Sequence, residues 1–230
     1  MNLLQLQTQL QQEGFYPGGE ENLDGVFGPQ TLNAIICKMK AGPDTPLAEQ
    51  DFVDSAARLG VTTAHIKAIT EVESAGDGFS EGLPKILFEP HRFSRATGHK
   101  YDIAYPGISS YSWNRALYPK LITNRYLQLA RAVGLDVEAG FASASYGRFQ
   151  ILGENYANCG FASASSFAFA QSLNEAEQLK AFETFMVKTG IIRYLKSEEW
   201  GLLAKAYNGT AYKENHYDSK LEAAFRKFKE

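Results

Sequence analysis

Residues 63–79 read "TAHIKAITEVESAGDGF". Ile66 and Ile69 recur at helical spacing, and the run then dissolves into glycines at 76 and 78. This spacing predicts a helix over 63–74. On a helical wheel at about 100° per residue, Glu73 projects between Ile66 and Ile69, whereas Glu71 falls beside Lys67 on the wet side. A carboxylate on an apolar face opposes folding unless another group compensates it. One reading is a side chain that snorkels to water or pairs with a base at the helix end. The other is chemical. Apolar surroundings raise a carboxyl pKa, and an acid still protonated near neutral pH can donate its proton to a leaving oxygen, as in glycoside hydrolysis. The glycines at 76, 78 and 82 would then let the chain turn away and leave the helix end open to a cleft.

The same periodicity extends outward. Segments 49–59, 121–133, 174–196, 198–207 and 217–229 each place apolar residues at i, i+3 and i+4. Loops rich in Gly, Ser and Tyr are expected at 75–85, 97–114 and 134–145, and "PKILFEPHRF" (84–93) is the best short strand. Towards the N-terminus, Leu3, Leu6 and Leu10 mark a helix over 2–13, and "GFYPGG" breaks it. Asp24-Gly25 suggests a turn, and Pro29 starts a second helix carrying Leu32, Ile35, Ile36 and Met39. "AGPDTPLAEQ" (41–50), with two prolines and no period, reads as a short, semi-rigid linker. The expected organisation is a small unit at 1–42, a linker at 43–50 and a larger body at 51–230. The fold class is mainly α, a small three-helix-type unit joined to a helical body with a short β element.

Composition excludes more than it selects. Residues 1–50 carry six acids and two bases, the remainder twenty acids and twenty-one bases, so no basic stripe speaks for nucleic acid. Cys37 and Cys159 are far apart and read as two reduced thiols. His65, His91, His99 and His216 show no ligand spacing, so no metal and no cofactor are expected. No G-x-S-x-G or Cys–His pattern supports acyl transfer. No run reaches the ~20 apolar residues of a spanning helix, and the N-terminus lacks a secretory signal. The basic amphipathic segment 217–229 is expected to dock on its own domain rather than press on lipid.

Two stretches resemble known families. "LQTQLQQEGFYPGGEENLDGVFGPQTLNAI" resembles the peptidoglycan-binding domain 1 family over about residues 2–40. The resemblance implies wall contacts for Tyr16, Asp24, Phe27 and Thr31; the insertion "GEENL" departs from the pattern. Residues 47–230 resemble the N-acetylmuramidase domain of modular phage endolysins through "AARLGVTTAHIKAITEVESAGDGF", "GLPKILFEPHRFSR", "SASYGRFQILGENYANCGF" and "LAKAYNGTAY". They also echo the wider lysozyme and lytic-transglycosylase superfamily, at Glu73-Ser74, at Gly147 with Gln150-Ile151, and at Tyr207-Asn208-Gly209. The resemblance implies a lysozyme-like fold, Glu73 as catalytic acid, and Tyr146, Gln150, Tyr207 and Asn208 along a substrate cleft. Tyr207-Asn208-Gly209 also suits a helix C-cap.

Glu89, in "FEPH", is the second candidate carboxylate, placed to activate water, act as nucleophile, or only orient Glu73 or the loop; Asp77 and Glu81 are weaker candidates. The expected function is that of an endolysin cutting the MurNAc–GlcNAc β-1,4 bond. The alternatives are a lytic transglycosylase giving 1,6-anhydro products and a non-enzymatic cell-wall-binding module. The expected partner is bacterial peptidoglycan, with no nucleic acid and no stable membrane insertion, for a monomer. The expected location is the host cytoplasm, with action on the periplasmic wall once the membrane is permeabilised.

Overall fold

The computed structural model describes residues 1–73, 76–209, 213 and 216–229, and the side chains of Glu73 and Asn208 lie outside that description. The architecture is mainly helical with small antiparallel sheets, in agreement with the expected class.

Helix α1 (Leu3–Gln12) starts at a reciprocal cap. Asn2 accepts from the Gln5 amide, and the Gln5 side chain accepts from the Asn2 amide. Helix α2 (Pro29–Met39) begins at Pro29, where a missing N–H is harmless. Leu6, Leu10, Ile35 and Met39 are fully buried between and beneath these helices. Their apolar cluster is continuous with that of the larger body.

The stretch 41–48 is laid down along that body. A Cβ on Gly42 would lie 2.0 Å from the Ser172 carbonyl, so only glycine fits there. The Glu175 amide donates to the Thr45 carbonyl (3.1 Å), and the Leu47 amide donates to Glu175 Oε2 (3.0 Å). Phe27 packs on Gly134, and Lys38 Nζ lies 5.1 Å from the Phe15 ring and 5.7 Å from the Phe169 ring.

In the body, α3 (Glu49–Leu59) ends at Gly60 in the left-handed conformation. Helix α4 (Thr63–Glu73) buries Ile66 and Ile69, as the wheel requires. Strands β1 (Phe79–Ser80) and β2 (Leu83–Pro84) form a hairpin around Glu81-Gly82. Both turn residues have positive φ, 56° and 74°, which gives the primed turn that suits strand twist. Strands β3 (Ile86–Phe88), β4 (Ala144–Tyr146) and β5 (Ile151–Leu152) pair antiparallel in that order, with Ile86 opposite Tyr146 and Ser145 opposite Leu152.

Further helices are α5 (Pro90–Ala96), α6 (Ile122–Leu135), α7 (Val137–Ala142), α8 (Ala164–Gln171), α9 (Glu175–Lys188), α10 (Ile192–Lys196), α11 (Trp200–Asn208) and α12 (Tyr217–Lys229). The single helix expected over 174–196 is broken at Gly190, whose φ is 74°. The loop expected at 134–145 instead contains α7 and most of β4. Gly140 lets α7 approach α6 closely, since a Cβ there would meet the Val133 amide at 2.6 Å. Helix α12 lies along α4 and buries Leu221, Ala224 and Phe225. Cys37 and Cys159 are both free thiols, and burial pushes Cys159 up to about 12.

Candidate active site

Backbone hydrogen bonds join the stretch after α4 to the turn between β4 and β5. The Lys85 amide donates to the Gly78 carbonyl (2.8 Å), and the Lys85 carbonyl accepts from the Gly147 amide (2.8 Å). Gln150 completes the joint: its Nε2 donates to the carbonyls of Gly147 (2.8 Å) and Lys85 (3.2 Å), while its Oε1 accepts from the Ser145 hydroxyl (2.8 Å). Gln150 is exposed yet held at φ 48°, an arrangement that persists only where surrounding bonds impose it. Both side-chain donors are engaged, and Oε1, which accepts one bond, retains capacity for a second.

Beneath this joint sits a buried polar hub. Glu175, 1 % exposed, accepts from the Gly78 amide, the Leu47 amide and Arg148 Nη1 (2.6 Å). Fully buried Gln178 accepts from the Arg148 amide (2.7 Å) and donates to the Gln171 carbonyl (2.8 Å). A Cβ on Gly78 would fall 2.3 Å from Gln178 Oε1, and one on Gly147, whose φ is 68°, would fall 2.5 Å from its amide carbon. Glycine is therefore required at both positions by close approach. Nothing in the sequence pattern marks Glu175 or Gln178, which begin a helix like ordinary surface residues.

Glu73 is placed by its backbone at the C-terminal end of α4; its side chain, and Ser74, lie outside the described residues. Glu71 is exposed and pairs with Lys227 (2.6 Å), as its wet position predicts. Glu89 holds the N-cap position of α5 without a side-chain cap bond, and its side chain is 19 % exposed. It accepts from the Tyr118 hydroxyl, and His91 Nδ1 lies 3.4 Å from the same oxygen. Burial and the adjacent carboxylate push the Tyr118 phenol well above its ordinary value, so it stays a donor. Trp113 packs near Tyr118, 6.0 Å between ring centroids, and it and Tyr111 are both exposed on the strap 97–118. Those two aromatics were legible only as part of a Tyr-rich loop. Asp77 is exposed, and Glu81 is a turn residue of the hairpin.

The expected cleft residues separate on inspection. Tyr146 is fully buried: its hydroxyl donates to the Phe141 carbonyl (2.9 Å) and its ring meets Phe167 edge-on. It belongs to the core rather than to a sugar-facing surface. Tyr207 is half-buried, with its hydroxyl on the Phe149 carbonyl (2.6 Å) and its ring against Phe182 and Phe185. Asn208 ends α11, with its side chain outside the described residues, and Gly209 follows at φ 72° as a C-cap.

The expected wall contacts also turn inward. Gln7 Nε2 lies within hydrogen-bond distance of Tyr16 Oη (3.3 Å), Asp24 Oδ1 (3.0 Å) and Thr31 Oγ1 (3.1 Å), and Gln7 Oε1 accepts from the Gly25 amide (2.7 Å). Tyr16 and Thr31 are buried, and Asp24, though exposed, caps the Val26 amide as well. These three fix the loop between α1 and α2. Phe27 lines a cavity against the larger body. Elsewhere, Ser94 bonds both His99 Nδ1 (2.8 Å) and Asp102 (2.9 Å). Ser and Asp share one ring nitrogen there and Ser94 is fully buried, so the cluster ties down the strap and forms no base relay.

Comparison with known proteins identifies the family. The N-acetylmuramidase family model (Muramidase) matches residues 62–229. A crystal structure of a Burkholderia AP3 phage endolysin is similar at 31% identity with a TM-score of 0.75, covering 99% of this chain and 95% of that one. No curated protein sequence matches significantly.

Proposed function

The chain belongs to the N-acetylmuramidase family, and from that premise we propose that it is a peptidoglycan-hydrolysing endolysin that cuts the MurNAc–GlcNAc β-1,4 bond. In this reading Glu73 is the general acid that protonates the bridging oxygen. The observation that carries it is the Gly78–Lys85–Gly147 joint, which ties the chain just beyond Glu73 to the exposed Gln150 turn. A sugar hydroxyl bound there can donate to Gln150 Oε1, which has spare acceptor capacity. Tyr111 and Trp113 supply flat apolar faces for pyranose rings. Tyr207 supports this floor from beneath, through its bond to the Phe149 carbonyl.

Glu89 fits a positioning role best. Its oxygen already holds Tyr118 and faces His91, so it anchors the aromatic strap. That engagement is also the observation favouring the second reading, a lytic transglycosylase. A single free glutamate suffices there, because the sugar's own 6-hydroxyl attacks. Residues 1–42 act as the wall-binding unit and hold the enzyme near its polymeric substrate. Among the described residues no helix is long and apolar enough to cross a membrane, and the enzyme acts on the wall once the membrane is permeabilised.

Mass spectrometry of fragments released from purified peptidoglycan tests the reaction. Reducing N-acetylmuramic acid ends support hydrolysis at the proposed bond. Anhydro ends establish the transglycosylase, reducing N-acetylglucosamine ends place the cut at the other linkage, and no fragments at all leave only a binding module.

A further inference from the structure

A groove of about 1050 Å³ lies between the N-terminal unit and the body, apart from the Gln150 turn. Its size is that of a ligand site. Phe27 forms one wall, the strap residues Ile108 and Leu117 another, and α6 the floor. The floor residues Asn124, Gln128 and Arg131 recur at i, i+4 and i+7, so one stripe of the helix faces the groove. Gln128 fixes the strap to α6, since its Nε2 donates to the Gly107 and Leu117 carbonyls, both 2.9 Å away.

Arg131 is the only Lys, Arg, Asp or Glu among the groove's lining residues, and neither it nor Asn124 has a side-chain hydrogen bond or ion pair among the described residues. An exposed guanidinium above largely apolar walls complements a carboxylate carried on a chain with apolar side chains. A neutral glycan offers no anion to Arg131. Phe27, one of the expected wall-binding residues, lines this groove.

We propose that this groove, built jointly by the N-terminal unit and α6, binds a short peptide bearing free carboxylates, with Arg131 as its anion contact. The proposal rests on the peptidoglycan reading above, because the wall polymer presents such peptides on its glycan. The full chain would then grip peptide stems with one surface while it cuts glycan with another.

The test titrates the isotope-labelled full chain, by NMR, with synthetic alanyl-γ-glutamyl-lysyl-alanine, with the same peptide amidated at its carboxylates, and with chitotetraose, a glycan without peptide. The free peptide is expected to shift the amides of Gly107, Leu117, Arg131 and Gly134 with millimolar affinity. Arg131→Gln, a surface change that leaves the fold intact, and amidation of the peptide should each weaken binding about threefold to fivefold. Cleavage of soluble glycan should stay unchanged in Arg131→Gln.

Absence of these shifts overturns the groove, as does an Arg131→Gln affinity equal to wild type. Shifts at the same amides with chitotetraose, or loss of them on dilution without ligand as a dimer dissociates, assign the groove to another occupant. Peptide binding breaks no bond. A chain that cuts glycan but shows no peptide shifts therefore defeats this proposal alone, and one that binds peptide without cutting defeats only the enzymatic reading.

Discussion

The buried Glu175 carboxylate accepts a hydrogen bond from the backbone amide of Gly78, five residues beyond Glu73. The same carboxylate holds Leu47 in the stretch leading from the N-terminal unit and Arg148 in the turn beside Gln150. One buried group thus holds three segments of the chain together, one of them following α4.

Glu175→Ala leaves Arg148 partly buried without its partner and two amides without an acceptor, so it should lower stability by about 3–5 kcal/mol. Glu175→Gln keeps one acceptor oxygen and should cost less, about 1–3 kcal/mol. Since small misplacements of catalytic groups are costly, kcat of the Gln variant should fall about tenfold to a hundredfold with KM little changed. Urea denaturation and initial-rate kinetics check both. Wild-type stability and rate in Glu175→Gln would remove the hub from the account.

Gly134 has no positive φ; its constraint is the Phe27 ring, 2.4 Å from where a Cβ would sit. Gly134→Ala should cost about 1–3 kcal/mol by forcing that ring away. It should also speed tryptic cleavage near Lys40. In a Phe27→Ala background the same substitution should be nearly neutral, a non-additivity that a double-mutant cycle measures directly.

Arg58 makes a two-pronged pair with Glu183, both contacts at 2.7 Å, and Glu183 is the buried partner. Arg58→Ala leaves that carboxylate uncompensated. A loss of about 3 kcal/mol is expected, at the lower end of the range because Arg58 itself is partly in water. Arg58→Ala/Glu183→Gln should recover part of it in thermal unfolding.

His65 packs against Phe225 and Trp200, which also contact each other, and its Nδ1 accepts from the Thr62 amide (3.2 Å). Its Nε2 lies 3.8 Å from Glu198, too far for a hydrogen bond. Burial lowers its pKa, and Glu198 only partly opposes this. Below about 6.5 the unfolded imidazole takes up a proton that the folded one resists. The stabilising contribution is therefore complete above that pH and declines as pH falls through it towards the folded value. Denaturation midpoints measured from pH 8 to 5.5 should drop more steeply for wild type than for His65→Phe.

How much of this was legible in the sequence depended on whether neighbours outside the local pattern mattered. Helices α3 and α12 fall at the expected residues because each carries one apolar stripe against a polar face. Helix α8 is apolar or small on every side and packed all round, so no period betrayed it. Motif residues were recognisable, but their partners were not. Tyr16 and Thr31 look surface-directed until Gln7 is seen between them, and Tyr146 looks like a cleft phenol until its hydroxyl is found on Phe141. Glu175 has no local signal at all, because its partners lie 27, 97 and 128 residues away.

The central claim is that Glu73 delivers the proton, and Glu73→Gln tests it most directly, since the amide keeps the shape and removes the acid. Clearing of purified peptidoglycan should fall by about a hundredfold to ten-thousandfold, with circular dichroism and the unfolding midpoint unchanged. Clearing within a few-fold of wild type by a correctly folded Glu73→Gln protein would contradict the assignment.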